Sequence, residues 1–355
     1  FRCFLLRNLL PASFHLHYPY QSYLLYLLVQ LGCNIFLNLY VAHLVDKRYP
    51  ELKKHREARL GAEERGQIKK DAEALVLSRF GHVVLNGTDN IIISAVVGVL
   101  WVGRLSNYTL ICDSVTSVLC QITAAITGSL GNFFATEDKH AGYTLFQKID
   151  FLNFWLYGFS FIALVTLLDP FVQLWAGGRF VLGLSISVAI AINFFVAGYM
   201  NTLWVFRSTL GLFKQGKFRP ILVAVLNIVL SIVLGKLWGV FGVLFATFLS
   251  RASISLWYDP IVLHKYGFGV SSKPFFLRYL KRIILLAAVS IAMLAVRSVV
   301  LPAEATILRF AAMTAITAVV PNAVFWLAYR RCDEYAYFRS VAEDRVITPI
   351  RKKLR

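Results

Sequence analysis

The sequence predicts an all-α integral membrane protein with about nine transmembrane helices, and three observations predict it. Hydrophobic residues make up 58% of the 355, charged residues only 16%, and mean hydropathy is +0.63. A soluble domain carries about 25% charged residues. The apolar residues fall into blocks of roughly 18 to 25, the length a helix needs to cross about 30 Å of hydrocarbon. Finally, 30 of the 37 Lys and Arg lie in alternate segments between those blocks. That asymmetry is what the positive-inside rule requires of short loops.

The elements follow in order. Residues 1–20 form an ill-defined apolar segment interrupted by Arg2, Arg7, Pro11, His15, His17 and Pro19. It carries no small-residue cleavage site, so a signal peptide is not expected. The missing initiator Met reads as a chain that begins partway through a longer protein. A first transmembrane helix is expected over 21–45. The connector 46–77 is charge-mixed and becomes helical toward its end, the pattern of a solvated helix. A six-helix lobe is expected over 78–264, with spans near 78–102, 106–134, 151–169, 181–206, 220–235 and 239–258. The turn between 235 and 239 is too short for anything but antiparallel neighbours. The segment 265–330 reads as a cytoplasmic loop plus two additional spans, 283–301 and 305–329, and 331–355 as a basic cytoplasmic tail. The first and second spans of the lobe are expected to meet at a turn near Gly103 and Arg104.

The formal net charge of +18 invites a nucleic-acid reading. The basic residues border apolar blocks rather than alternating with surface aromatics, so anionic membrane lipid is the expected partner and nucleic acid is not. Cys3, Cys33, Cys112, Cys120 and Cys332 form no CxxC pair, which points to neither a zinc site nor a disulfide framework. No metal or cofactor is expected. No Ser-His-Asp order, HExxH, Walker loop or GxGxxG after a strand is present, so the chain does not read as an enzyme.

Polar residues at membrane depth are costly and face a bundle interior or a wet cavity. They recur here at helical spacing: His82, Asn86 and Asp89; Asp113, Ser117 and Gln121; Asn193 and Asn201; Asn227 and Ser231; Thr247, Arg251, Ser255 and Asp259. Asn227 and Ser231 read as interhelical hydrogen-bond glue. For Asp89 two readings stand: a helix cap after Asn86-Gly87-Thr88, or part of an ion pathway. Arg251 is expected near the cytoplasmic end of its span, snorkelling to phosphate. Many spans, polar stripes and no reactive loop together indicate transport.

Several stretches carry a family resemblance: TDNIIIS (88–94), SNYTLICDSV (106–115), GSLGNFFATEDK (128–139), FLNFWLYGF (151–159), DPFVQLWAG (169–177), FRSTLGLFKQGKFRP (206–220), LNIVLSIVLGKLWGVFGVLFATFLSR (226–251) and WYDPIVLHKYGF (257–268). In this order, over roughly residues 20 to 285, the chain resembles the C-terminal part of polysaccharide and O-antigen flippases of the multidrug/oligosaccharidyl-lipid/polysaccharide exporter superfamily. The resemblance implies two helical lobes around a central cavity, of which this chain would supply the end of the first and all of the second. It implies export of polyprenyl-diphosphate-linked oligosaccharide across the cytoplasmic membrane by alternating access. The diphosphate would need cations, for which Arg79, Arg207 and Arg251 are the candidates. The sugars would meet Gln121, Asn193 and Asn201. Asp89 and Asp113, on antiparallel neighbours, are the candidates for coupling to a proton or sodium ion. A multidrug antiporter of the same superfamily is the alternative; a glycan polymerase or ligase would need a long outward loop.

Overall fold

The computed structural model describes residues 21–50, 61–213, 215–216, 218–301 and 306–343. The segment 1–20, part of the connector and the tail beyond 343 lie outside the described residues. The chain divides into two units, Phe1–Ile68 and Lys69–Arg355. All regular structure among the described residues is helical.

The first unit contains α1 (Gln21–Arg48), an apolar helix closed by Lys47 and Arg48, and the first turns of α2 (Ala62–Val96). The second unit continues α2 and adds α3 (Val99–Thr136), α4 (Lys139–Trp175), α5 (Leu184–Thr209), α6 (Arg219–Val262), α7 (Lys273–Val300), α8 (Ile307–Tyr329) and the short α9 (Asp333–Ala342). Six segments are long and apolar enough to cross a membrane: Leu28–Arg48, Lys139–Trp175, Leu184–Thr209, Arg219–Phe268, Lys273–Val300 and Ile307–Tyr329.

Local chemistry sets the breaks. Between α2 and α3 the chain turns at Gly98, whose φ of 126° only glycine adopts readily. The turn is therefore earlier than the expected Gly103 and Arg104, both of which lie inside α3. α6 is two arms folded about Gly239 (φ 60°). The arms run antiparallel, as the short GKLWG turn predicts: Asn227 reaches Thr247, and Arg219 reaches Ser255 and Asp259. They come so close that a Cβ on Gly242 would sit 1.9 Å from the Leu234 carbonyl oxygen. Asp138 caps α4 by accepting the Ala141 N–H at 2.8 Å.

α4 is the central helix of the second unit, and its extent differs from expectation. The span 151–169 is only the apolar middle of a helix running 139–175, so Asp150 and Asp169 lie inside it. Asp150 pairs with Arg282 of α7 at 2.5 Å, and Asp169 lies 3.8 Å from Arg297 of the same helix. Both pairings advance in the same sense, so α4 and α7 run parallel. α8 returns antiparallel along α4: Trp155 donates to Asn322 at 2.9 Å, and Phe171 packs on Phe310.

The ends of this unit are chemically distinct. At the basic end, Phe146 is fully buried among Phe206, His264, Phe268 and Phe275, joining α4, α5, the π-turn Leu263–Phe268 and α7. Each such ring pair contributes about 0.5–1.5 kcal/mol beyond area burial. Beside it Arg207 and Arg219 both pair with Asp259, and Arg207 also donates to the Leu212 and Gln215 carbonyls. At the opposite end Tyr108, Asp169 and Ser187 bring together the beginnings of α3 and α5 and the end of α4.

Candidate functional site

The polar stripes of α2, α5 and α6 converge. On the first arm of α6, Asn227 and Ser231 are one turn apart; on the second, Thr247 and Arg251 are one turn apart, and the hairpin sets the two pairs face to face. α2 is brought against this hairpin where Gly81 meets Pro220; a Cβ there would approach the Pro220 ring within 2.7 Å. Two turns further along α2, Asp89 then meets Thr247.

The geometry is specific. Thr247 donates its hydroxyl to Asp89 Oδ2 at 2.7 Å. Asn227 Nδ2 donates to Thr247 Oγ1 at 2.9 Å and to Ser231 Oγ at 3.3 Å. Asn227 and Ser231 are fully buried. Asn193 of α5 donates to the Leu244 carbonyl at 2.8 Å and to Ala189 at 3.0 Å, fixing α5 to the same arm. The Arg251 guanidinium contacts the Asn193 carbonyl at 3.4 Å and lies within electrostatic reach of Asp89.

Three oxygens of this cluster are buried without a hydrogen-bond partner: Asp89 Oδ1, Asn227 Oδ1 and Asn193 Oδ1. A buried acceptor left unsatisfied costs about 1–3 kcal/mol, more when charged. A carboxylate, an amide carbonyl and two hydroxyls form an all-oxygen donor set, the type that suits hard cations or a proton rather than soft metals. The capping reading of Asp89 does not apply: the residue lies inside α2, bonded to another helix.

The expected residues separate into groups. Asp89, Arg251 and Asn193 come together. Arg251 is not near the end of its helix but twelve residues beyond Gly239 in an arm that continues to Val262. The expected snorkelling is thereby corrected, because the helix extends well past the apolar block that suggested its end. Arg207 is buried and engaged by Asp259 and the loop carbonyls, so it closes the α5–α6 connection rather than facing a substrate. Asp113 and Gln121 are exposed on α3; Gln121 bonds only back to the Ser117 carbonyl, at 3.3 Å, and Asp113 has no hydrogen bond or ion pair among the described residues. Asn201 is half-buried two turns beyond Asn193 on α5. Arg79 belongs to α2, and its side chain lies outside what is described. Thr247, Asn227 and Ser231 belong to the cluster as fully as Asp89 does. Their only sequence signal was the four-residue step, which interhelical glue shares.

Comparison of the chain with protein-family models, with curated proteins and with solved structures returns no match.

Proposed function

We propose that this chain is a multi-pass membrane transporter of the flippase type, exporting polyprenyl-diphosphate-linked oligosaccharide across the cytoplasmic membrane in exchange with, or together with, a proton or sodium ion. In this reading α1, α2, α3, α4, α5, both arms of α6, α7 and α8 are nine spans, with the basic end and the C-terminus cytoplasmic. The observation that carries it is the buried, partly unsatisfied oxygen cluster around Asp89. Asp89 lies nine residues before Gly98 and Thr247 eight after Gly239, so both are roughly 12–14 Å from the outward turns, deep in a core of about 30 Å. Ionisable groups at such depth serve ion or substrate pathways by default. The cluster draws on α2, α5 and both arms of α6, so an ion entering it would bias the packing of three elements at once.

Arg251 favours the lipid-diphosphate reading over the drug-antiporter alternative. A buried guanidinium beside the Asp89 cluster repels cationic drugs and attracts phosphate oxygens, with a fork suited to them. Membrane lipids and the lipid-linked glycan are the partners this reading requires. The test is export of lipid-linked oligosaccharide by the full protein under imposed proton or sodium gradients. Asp89→Asn keeps size and most hydrogen bonds while removing the charge. Export by this variant is expected to lose its dependence on the gradient and to fall about tenfold. Normal, gradient-dependent export by Asp89→Asn would sink the reading.

A further inference from the structure

Arg207 and Arg219 share one carboxylate. Asp259 gives Oδ1 to Arg207 and Oδ2 to Arg219, and among the described residues neither arginine pairs with another acid. The cluster therefore holds one positive charge more than it neutralises, which is costly away from water. The sequence around it adds to the excess: residues 207–219 contain Arg207, Lys214, Lys217 and Arg219 and no Asp or Glu. The surplus falls on Arg219. Arg207 uses its second terminal nitrogen on the Leu212 and Gln215 carbonyls. Arg219 uses only Nη1, which donates to Ser255 Oγ at 2.9 Å and to Asp259. Its Nε is buried without a partner, whereas Nη2 is neither buried nor hydrogen-bonded among the described residues. The Arg219 side chain keeps 15% of its surface exposed, so one donor already faces out and nothing has to turn. Tyr258 stands within electrostatic reach of Arg219, its ring so close over Gly216 that a Cβ there would approach within 2.6 Å. The Tyr258 hydroxyl likewise has no hydrogen bond among the described residues.

Arg219 opens α6 and lies twenty residues before the Gly239 turn. That is roughly 30 Å along the arm, the thickness of the hydrocarbon core, so the guanidinium stands at headgroup level. The positive end of the helix dipole adds to the same field. From there Leu222, Val225 and Val229 form an exposed apolar stripe along the first arm, and Trp257 is exposed on the second. We propose that Arg219 and Tyr258 form the headgroup site of a resident anionic phospholipid. The phosphodiester accepts from Arg219 Nη2 and the Tyr258 hydroxyl, and its charge completes the neutralisation that Asp259 begins. One acyl chain lies along Leu222, Val225 and Val229. A free phosphate would meet the same donors but leave the stripe uncovered; an amphiphile satisfies both. Basic sites between spans at the cytoplasmic leaflet hold acidic headgroups in this way. A zwitterionic headgroup carries its own cation beside the phosphate and neutralises nothing, so the site selects lipids of net negative charge. The site requires only that the chain span a membrane. It depends on neither the Asp89 cluster nor the exported substrate, so it can fail while the transport reading stands.

The experiment titrates the full chain, in a neutral detergent, with phosphatidylglycerol and with phosphatidylcholine of the same acyl chains, and counts bound lipid by native mass spectrometry. The wild-type protein should hold phosphatidylglycerol about fivefold more tightly, the worth of one basic residue at an anionic headgroup. Arg219→Gln keeps a donor for Asp259 and should lose that preference, with Arg219→Lys retaining part of it. Tyr258→Phe leaves the ion cluster whole and should weaken phosphatidylglycerol binding while phosphatidylcholine binding stays the same. A merely structural Arg219 would instead lower the binding of both lipids alike. Equal affinity of the wild type for the two lipids, or a preference that survives in Arg219→Gln, overturns the site. Where Arg219→Gln does not fold, Tyr258→Phe decides, and an unchanged phosphatidylglycerol affinity in that variant overturns it. Displacement of phosphatidylglycerol by inorganic phosphate at comparable concentration would mark a free-anion site and overturn it too. Displacement by farnesyl diphosphate at lower concentration would assign Arg219 to the exported lipid, with the same consequence.

Discussion

Tyr108 donates its hydroxyl to Asp169 at 2.7 Å and accepts the Leu182 N–H at 2.8 Å, so one fully buried phenol joins α3, α4 and the segment that enters α5. Ser187 donates to the same Asp169 oxygen at 2.6 Å, and Arg297 stands 3.8 Å from the other. The end of the second unit opposite the basic one is thus organised around a single carboxylate. Removing the phenol oxygen by Tyr108→Phe leaves an N–H and a carboxylate oxygen short of a partner. Stability should fall by about 1–3 kcal/mol, read as the denaturation midpoint in a detergent titration; an unchanged midpoint would show that Ser187 and Arg297 suffice.

The Asp150–Arg282 pair is buried on both sides, with the guanidinium also 5.1 Å from the Phe154 ring centre. Either single alanine substitution strands a charge between α4 and α7 and should cost about 3–5 kcal/mol. The double variant Asp150→Ala/Arg282→Ala should be less destabilised than the two singles added together. A double-mutant cycle in the same titration measures this coupling, and strict additivity would contradict it.

Asp259 faces two guanidiniums, Arg207 and Arg219. Asp259→Ala leaves both cations buried and mutually repelling, whereas Arg219→Ala leaves one satisfied ion pair. The first should therefore be the more harmful, at about 3–5 kcal/mol. Comparable stability of the two variants would show that the carboxylate is not the centre of the cluster.

The parallel run of α4 and α7 puts their N-termini on one side, in agreement with the charge asymmetry. Single cysteines at Ser271 and Glu343, in a background without the native cysteines, should resist membrane-impermeant reagents applied outside intact cells. A cysteine at Arg179, exposed beside the opposite end, should react. Labelling of Ser271 and Glu343 from outside would reverse the orientation.

Gly242 lies where the two arms of α6 touch. Gly242→Ala should push the arms apart and destabilise the fold by several kcal/mol, on the order of the cost of overpacking or more. Gly103→Ala, whose new methyl meets nothing within 4 Å, should be neutral or stabilise α3 by up to about 1 kcal/mol. Denaturation midpoints of the two variants provide the comparison.

The apolar blocks alone were enough to read an all-helical chain and the antiparallel arms about Gly239. Each depends on composition within a window or on a turn too short to have alternatives. The polar groups were legible as stripes but not as partners. Asp150 and Asp169 fell at the margins of an apolar block, and only the 37-residue helix α4 shows that α7 meets both. The turn at Gly98 rather than Gly103 could not be chosen from two similar glycines, because the left-handed conformation belongs to the folded backbone. Arg207 and Arg251 look alike in sequence, each a lone arginine in an apolar run. The fold gives one to Asp259 and sets the other within reach of Asp89. Hydropathy reports the average medium around a helix, lipid or water. Which carboxylate neutralises which arginine depends on helices brought together from distant parts of the chain, and that only the tertiary structure decides.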